Sequence, residues 1–126
     1  MIKFYGFAGH HILSPRCAFH LSTSIDGVYL VSTIGRYLDE NEEVQDICIG
    51  YKYQTMVFEI EGEDSNGDPL ITSYSEIDSR RYNYSRVAED GHYEMMDKYM
   101  KKHAKDSSIS SSGNRFKIWF PFLVQS

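Results

Sequence analysis

At 126 residues the chain offers material for one domain with its own core, since a chain this size buries about two thirds of the surface it exposes unfolded. Its 41% apolar and 25% charged residues exclude collagen-like and disordered chains, and no run of about 18 apolar residues is present to span a membrane. Two cysteines, Cys17 and Cys48, are too few for a disulfide framework, and residues 1–6 lack the apolar core of a signal peptide, so a reducing cytosol is expected.

The net charge of -5 is an average over unlike segments. Residues 1–36 carry +2, residues 37–79 carry -11 and residues 80–126 carry +4. The acidic middle has two knots: Asp39, Glu40, Glu42, Glu43 and Asp46 form one, and Glu59, Glu61, Glu63, Asp64 and Asp68 the other. Such runs read either as solvated loops or as a surface that offers carboxylates to a basic partner in place of phosphates. Calcium fails on spacing. With Gly67 at the sixth position of an EF-hand loop, Gly62 and Ser73 would fall at the first and twelfth, where carboxylates are needed.

In chain order, residues 2–8 are apolar and Gly-interrupted, and predict a strand. Residues 17–25 alternate apolar and polar, Asp26-Gly27 follows, and residues 28–34 are again β-prone. An Asp-Gly pair between such runs predicts a hairpin with a two-residue turn, because both central positions need positive φ. That register sets Ile25 opposite Val28, Thr23 opposite Leu30, Leu21 opposite Ser32 and Phe19 opposite Ile34 on a core-facing side. Ala18, His20, Ser22, Ser24, Tyr29, Val31 and Thr33 take the more polar side. Residues 51–61 predict a third strand, residues 62–69 a loop, and residues 70–82 a further strand strongest over 76–82.

Ser85 reads as a helix N-cap. Glu89 and Asp90 come early and Lys98, Lys101, Lys102 and Lys105 late, matching the macrodipole of a helix over 85–104. Ala88, Gly91, His92, Met95 and Tyr99 fall on one stripe, with Met96 and Met100 beside it. The serine-rich residues 106–113 predict a flexible connector. Residues 114–124 predict a terminal strand that ends or lies at an edge at Pro121. The expected architecture is a single α+β domain over 1–126, two layers, in which a mainly antiparallel sheet of five to six strands is covered by one long helix. Residues 1–105 form its sheet-and-helix core.

Candidate chemistry is sparse. His10, Cys17, His20 and His92 are the candidate metal ligands, but ligand spacing of the zinc kind is absent. Residues three apart in a strand face opposite ways, so Cys17 and His20 share a metal only if Cys17 precedes the strand. His92 lies on the helix stripe facing the apolar side of the hairpin, and His20 points to the other side, so the two are not expected to meet. His92 then reads as a core-rim histidine bonded through one ring nitrogen. Cys17 or Ser32 beside a histidine, with His20 opposite Thr33, lacks the elbow and orienting acid of nucleophilic catalysis. Arg80, Arg81, Tyr82, Asn83, Tyr84, Ser85 and Arg86 interleave bases with aromatics, as nucleic-acid and protein interfaces do. In the structural reading of that stretch, Tyr82 and Tyr84 anchor the strand-to-helix corner and the arginines pair with the acidic loops.

Several stretches carry a resemblance. They are residues 9–13 (Gly-His-His-Ile-Leu), 17–21, 29–35, 53–58 (Tyr-Gln-Thr-Met-Val-Phe), 77–83 and 88–92 (Ala-Glu-Asp-Gly-His). Over residues 9–95 the chain resembles a scattered set of small uncharacterised proteins of bacteriophages and prophages. That set shows a Glu-Thr-Met-Val-Phe-like strand, an Arg-Tyr-Asn-Thr-like corner and an Ala-x-x-Gly-His helix. Here Gln54 stands in place of Glu and Ser85 in place of Thr. The resemblance implies an origin, and with it the cytoplasm of a bacterial host. Gly91 and His92 fit packing: the missing side chain lets the helix approach the sheet, and the ring can reach a polar group there.

The function expected is that of a phage-encoded accessory protein. It would bind a host or phage protein, and so inhibit a defence or nucleic-acid enzyme, through Glu40, Glu42 and Glu43, with Arg80, Arg81, Tyr82 and Tyr84 as anchors. The protein partner is preferred over nucleic acid because of the net charge. No cofactor, metal or membrane is expected, and an exposed sheet edge permits an oligomer. The alternatives are a small metal- or nucleotide-dependent enzyme or ligand binder using His10, Cys17, His20 and His92, and a virion-associated structural protein.

Overall fold

The computed structural model describes residues 1–5, 17–47, 49–71 and 76–110. Among these residues eight strands, β1 (Ile2–Tyr5), β2 (Cys17–Ile25), β3 (Tyr29–Leu38), β4 (Val44–Gln45), β5 (Tyr53–Glu59), β6 (Gly62–Glu63), β7 (Pro69–Leu70) and β8 (Asp78–Tyr82), precede one helix, α1 (Ser85–Ser110). The main sheet is antiparallel with six strands, in the order β1-β2-β3-β5-β8, and β4 pairs with the end of β3. The α+β architecture of one antiparallel sheet and one long helix is the expected one. No described helix is long and apolar enough to cross a membrane.

The hairpin turn forms where Asp26-Gly27 directs it. Both residues have positive φ, 51° and 70°, and the Val28 N–H donates to the Ile25 carbonyl at 2.9 Å, as a mirror-image turn requires. The register is nevertheless displaced by one. Val28 stands outside the ladder, so Ile25 faces Tyr29, Thr23 faces Val31, Leu21 faces Thr33 and Phe19 faces Gly35. Val28 instead gives its carbonyl to the Ile60 N–H at 2.8 Å. An extra residue reverses every later side chain on its strand. Tyr29, Val31 and Thr33, expected on the polar side, therefore lie under the helix, and His20 faces Ile34 rather than Thr33.

The helix stripe is the predicted one. Ala88, Gly91, His92, Met95, Met96 and Tyr99 are buried, and Met100 is partly so. Met95, Met96 and Tyr99 close over Ile25, Tyr29, Val31 and Val57. At the other end Ala88 meets Tyr53 and Tyr82, with Phe19 against them. The Gly91 Cα abuts the Tyr82 ring, which occupies the space a Cβ would need. The same holds for Gly35 beneath Tyr53, its cross-strand partner. The sheet side away from α1 is also buried at its centre, through Leu30, Ile34, Phe58, Ser22, Ser32 and Gln54, while Ala18 and His20 are exposed.

Other boundaries moved. The Tyr84 carbonyl already accepts from the Ala88 N–H, so the helix starts one residue before a Ser85 cap would allow. It continues through 106–110, expected to be connector, with Lys102 reaching Asp106 at 3.4 Å across one turn. Its first turn holds no acid and its last no base, so the charge pattern sits a turn inside each end, where the dipole acts weakly. Residues 62–69 are not a plain loop: Gly62–Glu63 and Pro69–Leu70 pair as a small ribbon. The terminal strand over 114–124 and connector residues 111–113 lie outside the described residues.

Candidate functional site: a buried histidine and two exposed surfaces

Three threonines occupy mid-strand positions on three adjacent strands. Thr23 belongs to β2, Thr33 to β3 and Thr55 to β5, and all three face α1. His92 descends among them with no exposed surface. Its Nε2 lies 2.9 Å from Thr23 Oγ1 and its Nδ1 lies 2.7 Å from Thr33 Oγ1, which in turn lies 2.6 Å from Thr55 Oγ1. The ring is thus bonded through both nitrogens, not one. A neutral imidazole offers one donor and one acceptor, and either tautomer fits, because each hydroxyl can donate or accept. Burial among hydroxyls, with no carboxylate bonded to the ring, pushes the His92 pKa down to about 4. The site is closed, and the geometry makes His92 a polar pin between sheet and helix.

The remaining candidate ligands do not converge. His20 is exposed on the side of β2 away from His92, as expected. Cys17 is half-buried, and burial raises its thiol pKa, away from the thiolate a nucleophile needs. His10 lies outside the described residues. Among the described residues no group of three or more His, Cys, Asp or Glu could hold a metal ion.

The basic-aromatic stretch divides. Tyr82 is core, and its hydroxyl is buried with no hydrogen-bond partner within bonding geometry among the described residues. Arg80 pairs with Glu94 of α1 at 2.8 Å, which raises its pKa; the acid comes from the helix, not from the acidic loops. Tyr84, expected to anchor the corner, is 73% exposed. Arg81 and Arg86 are exposed and have no ion pair among the described residues. Close by, Asp78 binds β8 to α1. Burial acts to raise its carboxyl pKa, but hydrogen bonds from Lys98 Nζ at 2.6 Å and Tyr99 Oη at 3.0 Å, with the Lys98 charge, outweigh it and lower it. Burial first, and Asp78 second, push the Tyr99 phenol up to about 12.

The acidic knots hold two loops of one design. Asp39 Oδ1 accepts the Asn41 and Glu43 N–H groups, each at 2.9 Å. Asp64 Oδ1 accepts the Asn66 and Asp68 N–H groups at 2.8 and 3.0 Å. In both, the aspartate N–H donates to the carbonyl four residues on, its carbonyl accepts from the N–H three residues on, and that third residue is left-handed: Glu42 at 62°, Gly67 at 82°. Asp39 and Asp64 are therefore backbone acceptors, and Glu40, Glu42 and Glu43 are the exposed acids of the first loop. Beneath them Leu38 and Val44 pair across β3 and β4, 39% and 48% exposed, and Ile49 and Tyr51 are exposed in the connection to β5. These four apolar residues were not singled out from sequence, since nothing in the pattern distinguishes an arm's exposed pair from a core pair.

No protein-family model, curated protein or solved structure matches the chain.

Proposed function

We propose that the protein is a binding module that engages a basic protein partner through the β3–β4 arm. The observation that carries this is the exposed Leu38–Val44 pair beneath a loop held rigid by Asp39, with Glu40, Glu42 and Glu43 displayed around it. Apolar contact supplies affinity, and carboxylates at the rim steer a cationic surface and exclude acidic ones. A preordered loop loses little conformational entropy on binding. The resemblance to phage and prophage proteins supports a host or phage target in the bacterial cytoplasm, with inhibition of a defence or nucleic-acid enzyme as the outcome of binding.

The test is capture of a basic partner from host lysate by the wild-type chain and two variants. One carries Glu40→Gln, Glu42→Gln and Glu43→Gln; the other carries Leu38→Ser and Val44→Ser. The partner should be lost by both, and by the wild type at high salt. A partner retained by both variants sinks the assignment.

A further inference from the structure

The two edges of the main sheet differ. Among the described residues β8 pairs only with β5, and β1 only with β2. β8 carries Asp78, Arg80 and Arg81, and the first two are tied to α1 through Lys98 and Glu94. Charges of this kind guard a sheet edge against further strands. β1 offers a different edge. The Asp26 N–H donates to the Met1 carbonyl at 2.8 Å, and Ile2 faces Ile25 in the antiparallel register. In such a ladder successive residues turn their backbone groups to opposite sides of the strand. Met1, Lys3 and Tyr5 therefore turn theirs to β2, while Ile2 and Phe4 turn two N–H and two C=O groups out of the sheet.

The same two residues raise their side chains on the α1 side, since Phe4 faces Thr23, which bonds His92. α1 lies over β2, β3, β5 and β8, and β1 projects beyond it. Ile2 packs against the cluster of Ile25, Tyr29 and Met95, as Met100 does, but Phe4 is 57% exposed. Glu94 and Lys98 mark the flank of α1 above β8. At about 3.6 residues per turn, Tyr93 and Met100 fall on the other flank, towards β1. Tyr93 stands edge-on to the His92 ring, 5.7 Å between centroids, and is 46% exposed. An apolar trough, with Ile2 and Phe4 on its floor and Tyr93 and Met100 on its wall, thus runs beside an open strand. The charges around it are mixed. Glu89 and Arg86 lie on the same flank of α1, Asp97 is held by Lys101, and Lys3 points to the reverse side of β1, its Nζ 5.6 Å from the Tyr5 ring centroid.

An apolar floor alone does not choose its occupant, but backbone groups set out in strand geometry do. They are satisfied by a second extended backbone, whose alternate side chains then enter the trough; a docked helix, with its own backbone bonds closed, leaves them unpaired. With neither sign of charge in excess, recognition rests on backbone and apolar contact, which salt screens little. We propose that β1 takes an extended segment of a partner polypeptide as a further, antiparallel strand of the main sheet, with alternate apolar side chains of that segment lying between Phe4 and Tyr93. The surface is separate from the β3–β4 arm: β1 pairs beside the Asp26 turn, and β4 pairs at the far end of β3.

The experiment is an NMR titration of the isotope-labelled full chain with the neutral peptide acetyl-Thr-Val-Thr-Val-Thr-amide. In antiparallel pairing the valine N–H and C=O groups face Ile2 and Phe4, and those of the central threonine face away. The Ile2 and Phe4 amide signals should move and saturate below about 5 mM peptide, with a Kd that changes less than about twofold between low and high salt. Methylating both valine nitrogens should abolish binding, and methylating the central threonine nitrogen should leave it intact. Phe4→Ser should weaken binding at least about fivefold, and Phe4→Leu should recover most of the loss; thermal melts check the fold of each. The arm variant carrying Leu38→Ser and Val44→Ser should bind the peptide as the wild type does, so failure at the edge and failure at the arm are read separately. Absence of saturable shifts at Ile2 and Phe4, equal binding of the valine-methylated peptide, or unchanged binding in Phe4→Ser would each overturn the proposal. So would shifts of the same two amides with protein concentration alone, which would give the edge to a second copy of the chain.

Discussion

Acid should begin to erode the stability that the His92 pin supplies at a pH well above the carboxylate range. The ring is neutral in the fold, with its pKa near 4, against about 6.5 in an unfolded chain. Below 6.5 the unfolded state takes up the proton first. Stability from the neutral ring is therefore complete above about pH 6.5 and is lost as pH falls towards 4. The full difference of about 2.5 pKa units corresponds to about 3 kcal/mol, of which about 2 kcal/mol is already gone at pH 5. Urea denaturation at pH 7.5 and pH 5 measures this, with His92→Gln as the non-titrating reference. His103, whose pKa is lowered chiefly by burial, contributes in the same direction in both proteins and cancels. The wild type should lose about 2 kcal/mol more than the variant. Equal losses, or an NMR titration of His92 with a midpoint near 6.5, would refute the closed neutral site.

Other substitutions test the packing by sign as well as size. Gly91→Ala would ordinarily stabilise a helix by about 1 kcal/mol, but here the methyl meets the Tyr82 ring, and a net loss of about 1–2 kcal/mol in chemical denaturation is expected. Tyr82→Phe removes a buried hydroxyl with no partner among the described residues, so the melting temperature should hold or rise; a loss above about 1 kcal/mol would reveal a hydrogen bond. Glu42→Gly relieves a left-handed residue at the position Gly67 fills in the sister loop, and should stabilise by up to about 1 kcal/mol in the same assay.

Periodicity made the helix stripe legible, because every apolar residue on it faces one surface. The hairpin turn was legible from Asp26-Gly27, but the register was not. β3 carries apolar side chains at both parities, Leu30 and Ile34 against Tyr29 and Val31, so hydrophobicity does not choose between them. The choice is made by polar groups. Only the observed register sets Thr33 on the same side as Thr23, where His92 can bond both. Buried polar networks have this selecting effect because a slipped pairing would leave them unsatisfied. The acidic knots were visible as composition, but their division into backbone acceptors and exposed acids depends on loop geometry. Within residues 80–86 the interleaved pattern did not show that Tyr82 turns into the core or that Arg80 pairs with Glu94 at the surface of α1.

The spacing of the His92 contacts has a consequence for synthesis. Its partners precede it by 69 and 59 residues, and at about 5–20 residues per second the ring emerges roughly 3–12 s after Thr33. Throughout that interval β2 and β3 exist without the helix that covers Tyr29 and Val31 and caps the threonine hydroxyls. A ribosome paused before α1 thus holds a sheet with an unsealed face, open to chaperones and to pairing with other chains.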